Sequence, residues 1–314
     1  MPDVVSALER AISGLVDAVA GVSAGWLVLG VVLHLANQVA RGTGWFAIVN
    51  GAAERPPRMR DVVAAWVAGA GAGGVVSARG GDAVRVLLLA RRMEGKGNRA
   101  FLTGTLVAET VGETALGLAL LALALAIGVG PDVSPSATIG LYAAAVLLML
   151  VGAALLARRS AKVCRFFARM KVGCRPLKQP RTYARHVLPW QLLSRVLRLA
   201  ALGCFLAAFG LPATFAAVLL VTFAQCGGRV VPFSPASVGT GAAILAATFG
   251  PVTGTYVPPA ELAAFFVGTS TVLTVVGTAL ALILCAAQAS ANAGPKLAAV
   301  GRFTRIRAAI SAKP

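Results

Sequence analysis

Acidic side chains are scarce in this chain, and beyond Glu113 only Asp132 and Glu261 remain. Charged residues of either sign make up 13% of the 314 residues, roughly half the share of an ordinary soluble domain. Histidine is nearly missing: His34 and His186 are isolated and support neither a catalytic triad nor a metal site. The five cysteines form no disulfide framework. Cys204, Cys226 and Cys285 lie in apolar stretches as small packing residues, and Cys164 and Cys174 lack the paired Cys/His ligands of a zinc site. No cofactor-binding motif occurs, so no cofactor, no metal and no catalytic residue is expected. The first ten residues set Asp3 and Glu9 against Arg10, so the positive start of a cleavable export signal is absent and cleavage is not expected.

What is abundant is apolar sequence: 58% of the residues are hydrophobic and the mean hydropathy is +0.81. A helix crosses a hydrocarbon core of roughly 30 Å with about 20 residues. Residues 16–40, 101–129, 138–157, 189–210 and 262–287 meet that length. The runs do not alternate, and lipid tolerates no unpaired backbone, so they read as helices and not as a barrel. The fold class is therefore all-α, a polytopic transmembrane bundle forming one integral membrane domain over 1–314.

The net charge of +18 is unevenly placed. Ten Lys and Arg residues lie between Arg158 and Arg185 without a carboxylate. In a membrane protein such a run marks a cytoplasmic loop in contact with anionic headgroups, so no nucleic acid is expected as a partner. The loop is assigned to 158–188, and the equally acid-free tail 290–314 belongs on the same side. The turn at 128–137 carries Asp132 and no basic residue, so it faces outward. Arg41, Arg55, Arg58, Arg60 and the stretch 79–99 fall inside, which puts the N-terminus outside and the C-terminus in the cytoplasm of an inner membrane.

That count leaves 61–79 with cytoplasmic charge at both ends, which a single crossing cannot satisfy. A re-entrant hairpin does: one short helix over 62–77 and a return over 82–92. The second half repeats the pattern, with 213–225 dipping in and 239–249 returning. The first half, 12–157 with hairpin 62–92, and the second, 189–289 with hairpin 213–250, then insert their hairpins from opposite faces. Paired broken segments of this kind point to a midplane substrate site. Two full spans per hairpin is the competing assignment.

The candidate site residues follow. In Arg79-Gly80-Gly81-Asp82-x-x-Arg85 the glycines permit a sharp turn, Asp82 is placed to cap the returning helix, and Arg85 shares its face. Arg79, Arg85, Arg91 and Arg92 together suit a phosphate; the structural alternative is a capped helix with snorkelling arginines. Glu109 and Glu113, spaced i, i+4 inside an apolar helix, would pair with an arginine of the first hairpin, line a polar path or hold a proton. Arg195 and Arg198 share one face near a helix start. In the second hairpin Gln225 and Arg229 precede a break in which Pro232 and Pro235 impose extended backbone, and Ser234, Ser237 and Gly239 lead into a helix start suited to an anion.

The ordered set Arg41…Trp45, Gly81-Asp82-x-x-Arg85 with Arg91-Arg92, Glu109-x-x-x-Glu113 and Pro232-x-x-Pro235-x-x-x-Gly239 resembles the lysylphosphatidylglycerol synthase transmembrane-region family, the flippase-like membrane domain of multiple peptide resistance factor proteins. The resemblance runs over about 22–289. It implies movement of polar lipids between leaflets; with no room for a soluble aminoacyl-transferase domain, lysyl-lipid synthesis is not implied. The family's Glu-Arg-x-x-Asp appears as Glu109-Thr110-x-x-Glu113. Its Pro-Gly-Gly-x-Gly appears as Pro235-Ala236-Ser237-Val238-Gly239, and Ala242 replaces the acid that usually follows. The expected activity is translocation or binding of a phospholipid or lipid-linked intermediate, without enzymatic chemistry. The alternative is a non-transporting accessory subunit of a membrane glycosyltransferase or envelope-synthesis complex, with a membrane enzyme or a second copy as partner.

Overall fold

The computed structural model describes residues 21–75, 78–93, 98–126, 161–227 and 238–311. All regular structure among them is helical: α1 (Ala24–Ala52), α2 (Met59–Val75), α3 (Ala78–Ala90), α4 (Asn98–Ala126), α5 (Ala161–Gly173), a 3-10 turn (Arg175–Lys178), α6 (Pro180–His186), α7 (Leu188–Ala208), α8 (Phe215–Gly227), α9 (Val238–Thr253) and α10 (Pro259–Ser311). Asn98–Ala124, Leu188–Ala208 and Pro259–Leu284 are long and apolar enough to cross a membrane. The expected span at 138–157 lies outside the described residues.

Punctuation in the sequence sets the ends. α1 stops at Ala53, which turns extended ahead of Pro56 and Pro57. α7 starts with a proline in its first turn and is followed by Gly210 at φ 69°, a left-handed geometry that glycine adopts without a Cβ penalty.

Three boundaries differ from the sequence reading. α1 does not stop near residue 40 but continues through Arg41 and Trp45 to Ala52. Arg41 is therefore built into the bundle. The basic segment read as a loop is helical in α5 and α6, because its apolar positions repeat at helical spacing and dock on α4. The segment read as a tail continues α10 to Ser311.

α1 and α7 pack antiparallel along their length, and the Ser23 N–H donates to the Ala208 carbonyl at 2.8 Å. α2 and α3 form one hairpin, and α8 packs against α9 in another. α10 lies along α2, where a Cβ on Gly71 would stand 2.6 Å from the Gly277 carbonyl carbon, so the two backbones touch. Two apolar clusters result. One gathers Phe205, Leu206, Leu220, Leu245, Phe249 and Phe265 from α7–α10. The other gathers Trp45, Val62, Trp66, Leu89 and Leu102 from α1–α4.

Candidate functional site

His34, Asn37, Gln38 and Arg41 recur at i, i+3, i+4 and i+7 along α1, so they form one polar stripe on an otherwise apolar helix. His34 shares a hydrogen bond with Gln38 at 3.2 Å, and the Gln38 Oε1 accepts from the indole N–H of Trp66 in α2 at 3.2 Å. His34, read from sequence as isolated, is thus part of this network. Asn37 is buried and its Oδ1 has no hydrogen-bond partner.

Beside the stripe, α4 presents Glu109 and Glu113 one turn apart. Arg41 Nη2 donates to Glu109 Oε1 at 2.6 Å and lies 4.0 Å from Glu113 Oε2. From the opposite side Arg195 of α7 donates to the same Glu113 oxygen at 2.9 Å and to the Glu113 carbonyl at 3.0 Å. The result is an alternating chain, Glu109–Arg41–Glu113–Arg195, that ties together α1, α4 and α7. Both carboxylates are largely withdrawn from solvent, with side-chain exposures of 7% and 15%. Charges so placed survive only as partners, since removing one leaves its neighbour uncompensated at about 3–5 kcal/mol. The chain still has spare capacity: Nε of Arg41, Nε of Arg195 and Oε1 of Glu113 are buried without hydrogen-bond partners.

Trp66 extends the site toward the first hairpin. The Arg85 guanidinium sits 3.8 Å from its ring centroid and that of Arg41 5.0 Å away, both favourable for a cation on an aromatic ring. Arg85 also donates to Asp82 at 2.9 Å. On the α7–α8 side, Arg198 donates to Gln225 Oε1 at 3.0 Å.

The charged chain is closed at one end by α6 and the start of α7. The Tyr183 hydroxyl donates to the Ala108 carbonyl at 3.2 Å, and Gln191 Nε2 donates to the Glu109 carbonyl at 3.3 Å. Burial pushes the Tyr183 phenol above its ordinary pKa, so it stays a donor. Gly112 lies directly beneath: a Cβ there would come 2.6 Å from Gln191 Oε1. Nearby, burial likewise raises the Cys174 thiol, which donates to the Gly104 carbonyl at 3.3 Å.

Of the residues singled out from sequence, Asp82, Arg85, Glu109, Glu113, Arg195, Arg198 and Gln225 are assembled around this network. Two readings are corrected. Asp82 does not cap a helix, because α3 already begins at Ala78 and Arg79 to Asp82 are helical. Gly81 does not turn the chain but lets α2 and α3 cross closely: a Cβ on it would stand 3.0 Å from Gly73 Cα. The carboxylates of α4 accept hydrogen bonds from Arg41 of α1 and Arg195 of α7, while Arg85 of the hairpin acts on Glu109 electrostatically and Arg92 pairs with Asp61 across the hairpin mouth. Gly239 falls in the first turn of α9. Arg229, Pro232, Ser234, Pro235 and Ser237 lie outside the described residues, as does the side chain of Arg79. Sequence reasoning missed Trp66, Gln38, Gln191 and Tyr183 as site residues and used Arg41 for topology and for the family resemblance, not as a site residue. The helical spacing of the α1 stripe was the signal available.

The family model described as the lysylphosphatidylglycerol synthase TM region matches residues 4–291. The chain belongs to this family. It is an integral membrane protein of the lysylphosphatidylglycerol synthase/flippase type. No curated protein matches it. No solved structure matches it either. The Thr110 side chain is exposed and donates back to the Leu106 carbonyl at 2.9 Å.

Proposed function

We propose that this protein moves a polar lipid headgroup between leaflets, with the acyl chains left in the surrounding lipid and no covalent chemistry performed. The observation that carries the reading is the Glu109–Arg41–Glu113–Arg195 chain, a charged seam between helices of both halves. Charges at that depth are costly and mark substrate or ion pathways. Its unused Nε–H groups and carboxylate oxygen suit a headgroup phosphate and a cationic or hydroxylated headgroup part.

The two hairpins are proposed as re-entrant. Over the described residues α2, α3, α8 and α9 have 17, 13, 13 and 16 residues, or roughly 20–26 Å at 1.5 Å each, against a core of about 30 Å. Arg229 would then reach the headgroup from the second hairpin. The positive-inside pattern orients the chain in an inner membrane with its N-terminus outside and its C-terminus in the cytoplasm.

The test is a leaflet-specific reduction assay with headgroup-labelled phospholipid in vesicles holding purified protein. Arg195→Ala and Glu113→Gln are each expected to slow translocation about tenfold, the consequence of roughly 1.4 kcal/mol at the barrier. Unchanged rates in both variants, or no movement with the wild-type protein, overturn the reading. Co-purification with a membrane enzyme but no lipid movement would favour an accessory role.

A further inference from the structure

α5, the 3-10 turn and α6 form a collar whose docked side is apolar and whose outer side is basic. Along α5 the half-buried positions are Val163, Phe167 and Met170, followed by buried Gly173, a spacing that lays one stripe on α4. Gly104 and Gly173 permit the contact: a Cβ on Gly173 would stand 2.8 Å from the Thr105 nitrogen. The outer side exposes Arg165, Arg169, Lys171, Arg175, Lys178 and Arg181. No Asp or Glu occurs anywhere in 158–188. Among those cations two apolar side chains also point outward, Phe166 at 41% exposure and Val172 at 40%.

A cationic helical face with outward aromatic and aliphatic side chains is the composition of a segment that lies in a bilayer interface. The collar's position agrees, since it packs on the first turns of α4, which is long enough to cross the membrane, and leads directly into α7, which is another such helix. We propose that this collar is a docking surface for the anionic leaflet of the bilayer, its arginines and lysines on lipid phosphates and Phe166 wedged at the headgroup boundary. Each basic side chain near such a surface strengthens attachment about fivefold. The collar also hydrogen-bonds through Tyr183 to the turn of α4 that carries Glu109. Leaflet charge is therefore read next to the charged seam. The inference does not depend on lipid translocation and is measured without it.

The experiment uses full-length protein retaining Cys164, which is exposed, with the other cysteines replaced, and a polarity-sensitive fluorophore on that thiol. The labelled protein is placed in nanodiscs of phosphatidylcholine alone or with phosphatidylglycerol, and quenched with neutral acrylamide. Anionic lipid is expected to lower the quenching constant about threefold, with the protection lost at high salt. The double variant Arg165→Glu/Arg169→Glu should lose it. The milder Lys171→Gln/Arg175→Gln should lose part of it, which guards against a folding defect in the first. Equal quenching in both lipid compositions overturns the proposal. So does protection that persists in both variants, or protection conferred by an oligonucleotide or an acidic peptide but not by anionic lipid.

Discussion

The two apolar clusters of this protein are built to different rules. Around Phe205, Phe249 and Phe265 the packing is apolar, and rings meet edge to face, with Phe209 and Phe265 5.7 Å apart at 90°. Around Trp45 and Trp66 the aromatic residues carry polar handles. Trp45 donates to Thr105 at 3.0 Å, Trp66 donates to Gln38, and two guanidinium groups rest on the Trp66 ring. The first region needs only shape. The second needs shape and charge complementarity together, because every cation there requires a partner or a ligand. A bilayer protein that did nothing polar would gain nothing from the second arrangement.

The sharpest way to break this contrast is to remove one charge from the seam. Glu109→Ala should lower stability by about 3–5 kcal/mol by stranding Arg41. The double variant Arg41→Met/Glu109→Ala should recover much of it. Thermal unfolding in detergent, followed by circular dichroism, reads both; equal losses in the single and double variants would show that the pair is not coupled. Phe205→Ala is next, at about 3 kcal/mol from lost packing. It should leave lipid translocation per folded molecule unchanged, whereas the seam variants should not. Smallest is Arg92→Ala: the pair with Asp61 is partly exposed, so a loss of about 0.5–1 kcal/mol is expected in the same melt. A larger loss would place the hairpin mouth among the structural determinants of the site.

Much of the helical layout was legible from hydrophobic length. The bounds of α4, α7, α8 and α9 fall near the runs that predicted them, and Glu109 and Glu113 stood out because carboxylates are rare in apolar helices. Their partners were not legible. A single chain reveals which residues share a helix face, but not which helix that face meets, so the conspicuous arginines of the first hairpin drew attention from Arg41. Gly81 misled for a related reason. Glycine serves equally to turn a chain and to let two helices touch, and only the neighbouring Gly69 and Gly73 decide between them. Trp66 was invisible as a site residue because an indole in an apolar helix reads first as core.

The touching backbones at Gly71 and Gly277 carry a consequence for biogenesis. α2 holds Trp66, yet α10, the helix that seals its flank, is synthesised only after α3 to α9. At about 5–20 residues per second the ribosome needs roughly 10–40 s to travel from one glycine to the other. During that interval the hairpin must shelter its arginines against provisional neighbours, whether insertion machinery or lipid phosphates, until α10 slides into place.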